Sequence, residues 1–528
     1  MSRVAVLGLG SAGVAAVKNL REQGFDAVGF ERNDYVGGLW QYTANENITS
    51  VLKSTRTNVS RIRFTYSDFE YPPELKDSYP LASDVAKYIQ AYAAHFDILK
   101  HCRLGFTIRN LERAKDGQGW NLTVEDKDGK TVSEQYDRIV VCTGPQTHAL
   151  NPEHEGASQF KGRILNGQAF KEPEKFAGQR VIVVGMSNSA GDVIADLVNV
   201  GSEVFASHRA GVRIIARSLE GKPPTDLRIS RRISTISLKF FNAFPRIATR
   251  ASEFGVEYAM KSAIGSKMRK EWRLLPAPPI QNSPPTVNDY MVDYLISDKI
   301  KSVHGIKRFL PDGTSIEMLD GEILTDIDAV VYCTGYRYDF SYLGQDADPT
   351  FPSTPEWDAI PHAKITPYAR LYWGIWSERY PESLAFIGPY RGHSFSAFAN
   401  ADLTSTAIAN VWKGNYPTPT QEEMRAWCDA NYRTALKTVT NWRLQSIGCK
   451  PLELQRYLNA ASGNGVNESL GWGWEGWKFW ISNPRLYYLI MDGVDTSYLQ
   501  RLFDVHGERG RKKWDGARDA ILRANGKL

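Results

Sequence analysis

Arg3-Val-Ala-Val-Leu-Gly-Leu-Gly-Ser-Ala-Gly13, almost at the start of the chain, joins a short apolar run to a G-x-G-x-x-G turn. The apolar run predicts a buried strand, and residues 14–20 (V-A-A-V-K-N-L) have the periodicity of a helix. A second apolar run, residues 25–30, leads directly to Glu31. Strand, turn, helix, strand and acid stand in the order that a dinucleotide-binding βαβ unit requires, so the sequence predicts such a unit here.

Each part of this first unit has a physical task. Gly8 permits the tight turn, Gly10 lets the backbone approach a pyrophosphate, and Gly13 lets helix and strand pack closely. The N-terminus of the helix offers free N–H groups and a positive dipole end to the phosphates. Glu31 can accept hydrogen bonds from both hydroxyls of a ribose and would repel a 2′-phosphate. The first site therefore favours FAD or NAD over NADP.

A second unit of the same kind follows in the middle of the chain. Residues 180–184 (R-V-I-V-V) predict a strand, and residues 185–192 (G-M-S-N-S-A-G-D) predict the glycine-rich turn before a helix. The next strand ends in Ser207-His208-Arg209, without an acid. Because a guanidinium pairs with phosphate at two points, an arginine at this position predicts an NADPH site.

A chain with one acid-ended and one arginine-ended site is predicted to hold two redox nucleotides, with hydride transfer from NADPH to FAD as the natural chemistry. The sequence contains no G-x-S-x-G elbow, no H-E-x-x-H, no P-loop and no redox-active C-x-x-C. The reduced flavin must therefore pass its electrons elsewhere, and dioxygen is the favoured acceptor. The predicted cofactors are FAD and NADPH.

Composition narrows the class of protein further. The chain has 528 residues, enough for two or three domains, and its 42% hydrophobic and 23% charged content is that of a globular protein. A net charge of +5 does not favour nucleic acid as a partner. Five scattered cysteines predict reduced thiols and exclude a cysteine-based zinc site, and no metal site is predicted. With neither a signal peptide nor an apolar run long enough to span a membrane, a cytoplasmic protein is expected.

The order of the motifs predicts an α/β fold with two dinucleotide-binding (Rossmann-like) domains. The pattern at 326–336, which ends in C-T-G-Y, repeats that at 137–144, so the NADPH domain is predicted to be inserted in the FAD domain. The predicted boundaries are 1–165 and 330–410 for the FAD domain, 170–329 for the NADPH domain and 411–528 for a helical, Trp-rich C-terminal region.

Two stretches have less certain tasks. The basic, proline-interrupted residues near 213–285 predict a helical insertion, either solvated or part of a substrate gate. Five of the 14 tryptophans lie between 472 and 514. They favour packing within a terminal domain, with a cap over the active site as the alternative.

These motifs resemble those of the class B flavoprotein monooxygenases, most closely the flavin-containing monooxygenases, over roughly residues 1–410. The resemblance rests on seven stretches: G-L-G-S-A-G at 8–13, E-R-N-D-Y-V-G-G-L-W at 31–40, T-N at 57–58, the linker at 160–170, G-M-S-N-S-A-G-D at 185–192, S-H-R at 207–209 and C-T-G-Y at 333–336. The linker follows the family signature F-x-G-x-x-x-H-x-x-x-Y/F, except that Asn166 replaces the histidine. Phe170 at its end favours heteroatom oxygenation over Baeyer–Villiger chemistry, for which Trp or Asp is usual there.

The resemblance implies that NADPH reduces FAD, that NADP⁺ stays bound, and that reduced flavin and O₂ form a C4a-hydroperoxide that oxygenates a nucleophilic N or S of a small molecule. Natural-product tailoring is one role within the family. Asn58 is implied as the catalytic side chain, since its amide can donate a hydrogen bond to the flavin adduct without supplying an acidic proton. The implied cofactor-binding residues are Gly8, Gly10, Ser11, Ala12, Gly13, Glu31, Arg32, Gly38, Leu39, Trp40, Thr57, Ile108, Thr143, Gly144, Gly185, Ser187, Asn188, Ser189, Ala190, Asp192, Ser207, His208, Arg209, Thr334, Gly335 and Tyr336.

Three other functions remain open on sequence alone. A Baeyer–Villiger monooxygenase would use the same machinery on a ketone. A non-oxygenating FAD/NADPH reductase would pass electrons to a protein or quinone. A flavin-binding sensor would carry out no reaction. The substrate, the effect of Asn166 and the oligomeric state, for which a homo-oligomer is one option, are not readable from the sequence.

Overall fold

The chain folds into the strands and helices given below, and a computed structural model describes it over residues 1–218, 221–388, 396–440, 450–503 and 512–528. Of the five cysteines, Cys449 lies outside these ranges. The strands are β1 (Arg3–Leu7), β2 (Asp26–Glu31), β3 (Cys102–Leu104), β4 (Thr107–Arg113), β5 (Trp120–Glu125), β6 (Thr131–Tyr136), β7 (Arg138–Val141), β8 (His148–Ala149), β9 (Arg163–Asn166), β10 (Arg180–Val184), β11 (Glu203–Ser207), β12 (Ile214–Ile215), β13 (Thr286–Val287), β14 (Ile300–Val303), β15 (Ile306–Phe309), β16 (Ile316–Met318), β17 (Ile323–Leu324), β18 (Ala329–Tyr332), β19 (Tyr336–Arg337), β20 (Leu371–Tyr372), β21 (Trp376–Ser377) and β22 (Leu384–Phe386).

The helices connect and cover these strands. In chain order they are α1 (Ser11–Glu22), α2 (Ala82–His95), α3 (Asn188–Asn199), α4 (Arg231–Ala243), α5 (Pro245–Ile264), α6 (Met291–Ile296), α7 (Pro355–Asp358), α8 (Pro361–Lys364), α9 (Ala397–Trp412), α10 (Gln421–Val439), α11 (Pro451–Ser462), α12 (Val466–Ser469), α13 (Trp474–Ser482), α14 (Pro484–Asp492) and α15 (Ala517–Ala524).

The first sheet is built around β1. Its strand order is β20-β21-β22-β7-β1-β2-β3, and the five strands from β22 to β3 run parallel. Val4, Ala5, Val6 and Leu7 of β1 are fully buried, as expected of a central parallel strand covered on both faces. Helix α1 connects β1 to β2, which confirms the first predicted βαβ unit.

The second sheet repeats this arrangement in the order β14-β11-β10-β18-β9, with all five strands parallel. Helix α3 connects β10 to β11, which confirms the second predicted unit and the two-domain α/β fold. Strands β9 and β18 pair with each other in this sheet. The sheets therefore place 163–166 and 329–332 with the second domain, a few residues away from the predicted boundaries.

The predicted insertion near 213–285 contains α4 and α5 and is anchored by buried cations. Arg213 is buried and donates a hydrogen bond to Glu257 at 2.8 Å. Arg217 is also buried and forms an ion pair with Asp289 at 2.9 Å. The expectation of a purely solvated insertion is therefore wrong for its basic N-terminal part, because the fold uses these two charges internally.

The C-terminal helices complete the first domain. Helix α9 packs against both α1 and α11. Met424 of α10 and Leu454 of α11 belong to the same apolar core as Val4 and Val6 of β1. The predicted C-terminal region is helical as expected, but its first part is continuous with the core of the FAD-type sheet.

The clustered tryptophans do not share one environment. Trp472 and Trp474 are 87% and 77% exposed, and Trp477 is also exposed, whereas Trp514 packs against the last helices. The packing interpretation is therefore wrong for the first three. The alternative of an active-site cap is not supported in the described part of the chain.

A buried cluster of charges ties the C-terminal segment to α1. The guanidinium of Arg501 lies 2.7 Å from Glu22 and 3.0 Å from Asp68. Lys18 contacts the same two carboxylates at 2.6 Å and 2.5 Å. Burial alone would raise the pKa of Glu22, but attraction by Arg501 and Lys18 dominates and lowers that pKa to about 2.

We expect Arg501→Met to destabilise the flavin-loaded protein by about 3–5 kcal/mol at neutral pH, because it leaves two buried carboxylates with one cation. The lowered pKa of Glu22 stabilises the fold fully above its ordinary value and ceases to do so as the pH falls towards 2. The difference between parent and variant in urea denaturation should therefore shrink on acidification.

Arg523→Met is the matched control. Arg523 pairs with Glu70 through a salt bridge that is largely open to solvent. Its loss should cost less than about 1 kcal/mol. Equal, small losses in the two variants would contradict a stabilising role for the Arg501 cluster.

Candidate active site

A cavity of about 1000 Å³ lies where the carboxyl ends of the two parallel sheets meet. Its walls include both glycine-rich turns, so the fold brings the two predicted nucleotide sites into one space. The predicted residues that line it are Gly8, Gly10, Ser11, Ala12, Glu31, Arg32, Gly38, Leu39, Trp40, Asn58, Ile108, Thr143, Gly144, Ser187, Asn188, Ser189, Asp192, Thr334, Gly335 and Tyr336.

The first turn has no room for side chains. Gly8 has a φ of +91°, and a Cβ on Gly13 would lie 1.8 Å from the Gly8 carbonyl oxygen. A Cβ on Gly38 would lie 2.9 Å from the Cα of Gly10. Two loops therefore come together at the N-terminus of α1 with only backbone atoms where they meet. A pyrophosphate needs such a close approach of the backbone.

Glu31 braces this turn as well as facing the cavity. Its Oε2 accepts a hydrogen bond from the Leu9 N–H at 2.9 Å. Its Oε1 accepts from the backbone and side-chain nitrogens of Asn33 at 3.1 Å and 2.8 Å. Each carboxylate oxygen has further lone pairs, so the bracing role is compatible with the predicted contact to a ribose.

The second turn has the same construction. Gly185 has a φ of +123°, and a Cβ there would lie 2.7 Å from the Cys333 carbonyl oxygen. Asn188, the first residue of α3, accepts a hydrogen bond from the Val287 N–H at 2.9 Å. Ser187 is the N-cap of α3, and Ser187 and Asn188 both line the cavity.

Asp192 links this second turn to the first domain. Its Oδ2 accepts a hydrogen bond from Thr55 Oγ1 at 2.9 Å. Burial raises the pKa of Asp192 to about 6. The carboxyl group at the junction of the two nucleotide turns is therefore expected to change charge at mildly acidic pH.

Asn58 lies at the cavity wall with its amide oriented by Arg217. The guanidinium Nη2 of Arg217 donates to Asn58 Oδ1 at 3.0 Å, and its Nε donates to the Thr57 carbonyl at 2.9 Å. A guanidinium has only donors, so the Asn58 atom that faces it must be the oxygen. The Asn58 amide nitrogen is then left without a hydrogen bond to any described residue.

The remaining predicted residues do not line the cavity. Gly13, Gly185 and Ala190 belong to the turns without lining the cavity, and the buried Thr57 Oγ1 has no hydrogen bond to a described residue. At the end of β11, Ser207 donates to the His304 carbonyl. The last two predicted residues, His208 and Arg209, differ in their exposure to solvent.

His208 is buried, and its ring nitrogens contact the Ala210 carbonyl and Ser302 Oγ, each at 2.8 Å. Its neighbour Arg209 is exposed. Within the arginine-ended strand, Arg209 is therefore the cation that remains accessible to a ligand.

Asn166 and Phe170 of the linker also lie away from the cavity, although Gly167 between them lines it. Phe170 is fully buried and packs against Phe176 in the core of the second domain. Asn166 Oδ1 accepts a hydrogen bond from the Ala169 N–H at 3.0 Å, within a turn that follows β9. Phe170 therefore has no direct contact through which it could select a substrate.

Some lining residues carried no recognised signal in the sequence. Phe64, Tyr342, Asn400 and Ala401 come from segments far apart in the chain. Phe64 packs edge to face on Phe398 of α9, with ring centroids 4.4 Å apart. Only the tertiary fold brings the start of α9 to this cavity.

Comparison with known proteins agrees with this geometry. The family model described as flavin-binding monooxygenase-like matches residues 1–527. The chain belongs to this family. The match confirms the predicted resemblance and extends it over the C-terminal region, where the motifs had shown none.

Two curated relatives of this monooxygenase cover nearly the whole chain. Monooxygenase aurF of Gibberella zeae is 35% identical over 99% of this chain and 97% of its own length. Flavin-containing monooxygenase 5 of Oryctolagus cuniculus is 30% identical over 98% of this chain and 91% of its own length.

Solved structures confirm the fold. S-allyl-L-cysteine S-oxygenase from Allium sativum has a TM-score of 0.61 at 21% identity and covers 94% of this chain and 96% of its own. OTEMO in complex with FAD and NADP has a TM-score of 0.63 at 15% identity and covers 88% and 98%. The predicted fold with two dinucleotide-binding domains is thereby confirmed.

The described ranges contain neither a candidate membrane span nor a candidate metal site. No helix there is both long and apolar enough to cross a bilayer. No three His, Cys, Asp or Glu side chains of those ranges come together as metal ligands would.

We expect Asp192→Asn to stabilise the cofactor-free protein relative to the parent as the pH rises from 4 to above 6. The raised pKa means that ionising Asp192 costs the folded state up to about 3 kcal/mol, and the amide removes this cost while it can still accept from Thr55. Thermal unfolding across this pH range measures the effect.

Asp128→Asn, in the exposed hairpin turn between β5 and β6, is the control. It should show no such pH-dependent gain. If Asp192→Asn behaved like this control, Asp192 would not be the buried titrating group.

Proposed function

We propose that this monooxygenase is NADPH- and O₂-dependent and oxygenates a nucleophilic nitrogen or sulfur of a small molecule. The observation that carries the proposal is the single cavity lined by both glycine-rich turns. Two nucleotides held there would have their reactive ends in one enclosed space, as hydride transfer between them requires.

We assign FAD to the first turn. The bare backbone of Gly8, Gly10 and Gly38 leaves room for its pyrophosphate, and the carboxylate of Glu31 suits an unphosphorylated ribose. Trp40 lines the same cavity. The residues present therefore fit an adenine dinucleotide with no 2′-phosphate.

We assign NADPH to the second turn. Ser187 and Asn188 begin α3 and line the cavity, where their backbone can face a pyrophosphate. Arg209 is exposed just beyond β11, the strand that follows this helix, and the residues after that strand read a 2′-phosphate in such folds, which supports the assignment. Its guanidinium offers the paired donors that phosphate favours.

When bound, FAD supplies the redox chemistry that transfers one oxygen atom of O₂ to the substrate. The protein's part is to orient both nucleotides, to exclude water and to donate hydrogen bonds. Phe64 and two alanines at the start of α9, Ala397 and Ala401, give one part of the cavity wall apolar groups beside the amide of Asn400. The Asn58 amide nitrogen, on the segment that also carries Phe64, is the neutral donor, and Arg217 acts on it as a positioning residue.

The proposal of a nitrogen or sulfur substrate in place of a ketone is supported by the name of a relative. Human dimethylaniline monooxygenase [N-oxide-forming] 4 is 27% identical over 98% of this chain, and its name states an N-oxide product. Phe170 adds no contact to this choice because its ring lies in the second-domain core. Baeyer–Villiger oxidation of a ketone is therefore an outcome for the test to decide.

The test is NADPH consumption by the flavin-loaded enzyme with a panel of amines, thioethers, oximes and ketones. Hydrogen peroxide and organic product are measured in the same reactions. We expect oxygenated product, with one NADPH consumed per oxygen transferred, for an amine or thioether. Product from ketones alone would replace the proposal with Baeyer–Villiger chemistry, and NADPH oxidation without O₂ uptake would identify a reductase.

Arg209→Ala should raise the KM for NADPH by about 10- to 100-fold, the range expected for a lost charge-assisted pair, and leave the KM for NADH nearly unchanged. Steady-state kinetics with both nucleotides measure this. Arg308→Ala, which removes another exposed arginine of the second domain, should affect neither. Equal increases for NADPH and NADH would mean that Arg209 does not contact the 2′-phosphate.

Arg217→Met should lower the ratio of product to NADPH consumed and raise peroxide release several-fold, because Asn58 loses the contact that fixes its amide. The KM for NADPH should change less than this ratio. Arg217→Lys, which keeps a donor, should recover part of the coupling, and Asn58→Asp should uncouple as strongly as Arg217→Met. Unchanged coupling in Arg217→Met would refute the positioning role.

A further inference from the structure

Lys171 is a buried cation without an assigned task. It follows Phe170, the last residue of the linker, and is only 5% exposed. Its ammonium group contacts a carbonyl and a hydroxyl and forms no ion pair with a described residue. Lysine is rarely buried without a counter-charge, because removing an ammonium from water is costly. A lysine in this position therefore indicates a role beyond packing.

The side chain of Lys171 binds one segment of the first domain. Its Nζ donates to the Ile48 carbonyl at 3.0 Å and to Ser50 Oγ at 2.7 Å. Its own carbonyl accepts a hydrogen bond from the Tyr42 hydroxyl at 3.1 Å. Residues 42–52, called the wall segment below, are therefore held near both ends by a single residue of the second domain.

The wall segment forms part of the cavity surface and joins the two domains. Ile48, Thr49 and Val51 line the cavity. The Val51 N–H donates to the Leu39 carbonyl of the first domain at 2.9 Å. Leu52 is buried in the apolar core of the second domain. The segment is thus fixed to both domains, and its displacement would open this part of the cavity wall.

We propose that Lys171 is a positioning residue that holds the wall segment against the cavity and so keeps water from the reacting groups. The inference rests on the proposed function, in which oxygen transfer needs a site that excludes water. Lys171 does not line the cavity. It acts through Ile48 and Ser50 and not by contact with a substrate.

The charge of Lys171 makes the position of the wall segment dependent on pH. Burial lowers the pKa of Lys171 to about 8, against a weaker attraction by Glu46 of the wall segment. Other charged groups of these two stretches have other partners. Glu172 pairs with Lys175, and Lys53 lies over a tyrosine ring.

The lowered pKa fixes the direction of the pH effect. A released segment returns the ammonium group to water and its pKa to the ordinary value of 10.5, so release takes up a proton. Release therefore becomes less favourable as the pH rises from about 8 towards 10. The neutral amine can still donate to Ile48 and Ser50, so the segment is held most firmly at the alkaline end of this range.

The test is hydrogen–deuterium exchange of the flavin-loaded protein, measured by mass spectrometry on peptides that contain Val51 and Leu52. Both amides are hydrogen-bonded in the closed segment, to the Leu39 carbonyl and to Thr55 Oγ1. After correction for the intrinsic exchange rate, the opening constant of the parent should fall at least about tenfold between about pH 7 and 9.5.

Three variants separate the role of Lys171 from general destabilisation. Lys171→Met removes both hydrogen bonds and the titrating charge. Its opening constant should not depend on pH, and at about pH 9.5 it should exceed that of the parent at least about fivefold. Lys171→Arg keeps donors but remains charged, so it should also lose the pH dependence. Lys161→Met, which removes an exposed lysine of the same linker, should behave as the parent does.

Reaction coupling is the second measurement. At about pH 9, Lys171→Met should raise the fraction of consumed NADPH that appears as peroxide several-fold, with a smaller change in the KM for NADPH. Ser50→Ala removes one of the two acceptors and should cause the same changes to a smaller extent. Ser50→Ala also keeps the proposal testable if Lys171→Met fails to fold.

Three results would overturn the proposal. The first is an opening constant of the parent that does not depend on pH. The second is an opening constant that is equal in the parent, Lys171→Met and Ser50→Ala. The third is a looser segment in these variants with peroxide release equal to that of the parent, since the segment would then not shield the reaction. A parent that oxygenates no substrate would contradict the proposed function instead, and the exchange rates would still decide whether Lys171 holds the segment.

Discussion

The architecture depends on one steric constraint that occurs twice. In the turn after a central parallel strand, a Cβ atom would collide with neighbouring backbone, so glycine is required there. At Gly13 a Cβ would collide with the Gly8 carbonyl, and at Gly185 it would collide with the Cys333 carbonyl. Both turns then begin a helix whose N-terminus faces the same cavity. The two sheets can therefore present two nucleotides to each other only because neither turn carries a side chain there.

Contacts between distant segments hold this arrangement together. Thr55 meets Asp192 of the second turn, and Arg217 of the insertion meets Asn58, 159 residues earlier. Ser60 N–H and Oγ donate to Asp226, also in the insertion, at 2.9 Å and 2.8 Å. One loop of the first domain is thus fixed by the second domain, so the orientation of Asn58 depends on both domains being folded and docked.

The sequence predicted those elements of the fold that depend on neighbouring residues. The strand, turn and helix at 3–22 and at 180–199 follow from periodicity and glycine spacing, and each has the predicted form. It could not predict the partner of Arg217, because nothing near residue 217 identifies a residue so far away. It also could not show that the apolar period of α4 points outward, since periodicity shows that a face exists and not what covers it. The same limit applies to Trp472 and Trp474. Their clustering in the sequence suggested packing, but it could not show that both side chains are exposed.

In the proposed function, one cavity joins NADPH, flavin and O₂ in an oxygen transfer. The most direct measurement is mass spectrometry of the product formed by the flavin-loaded enzyme with NADPH under ¹⁸O₂. The account predicts one ¹⁸O atom in each product molecule and none when the label is supplied as H₂¹⁸O. Product with no label from ¹⁸O₂, or flavin reoxidation that yields only peroxide with every substrate class, would contradict it.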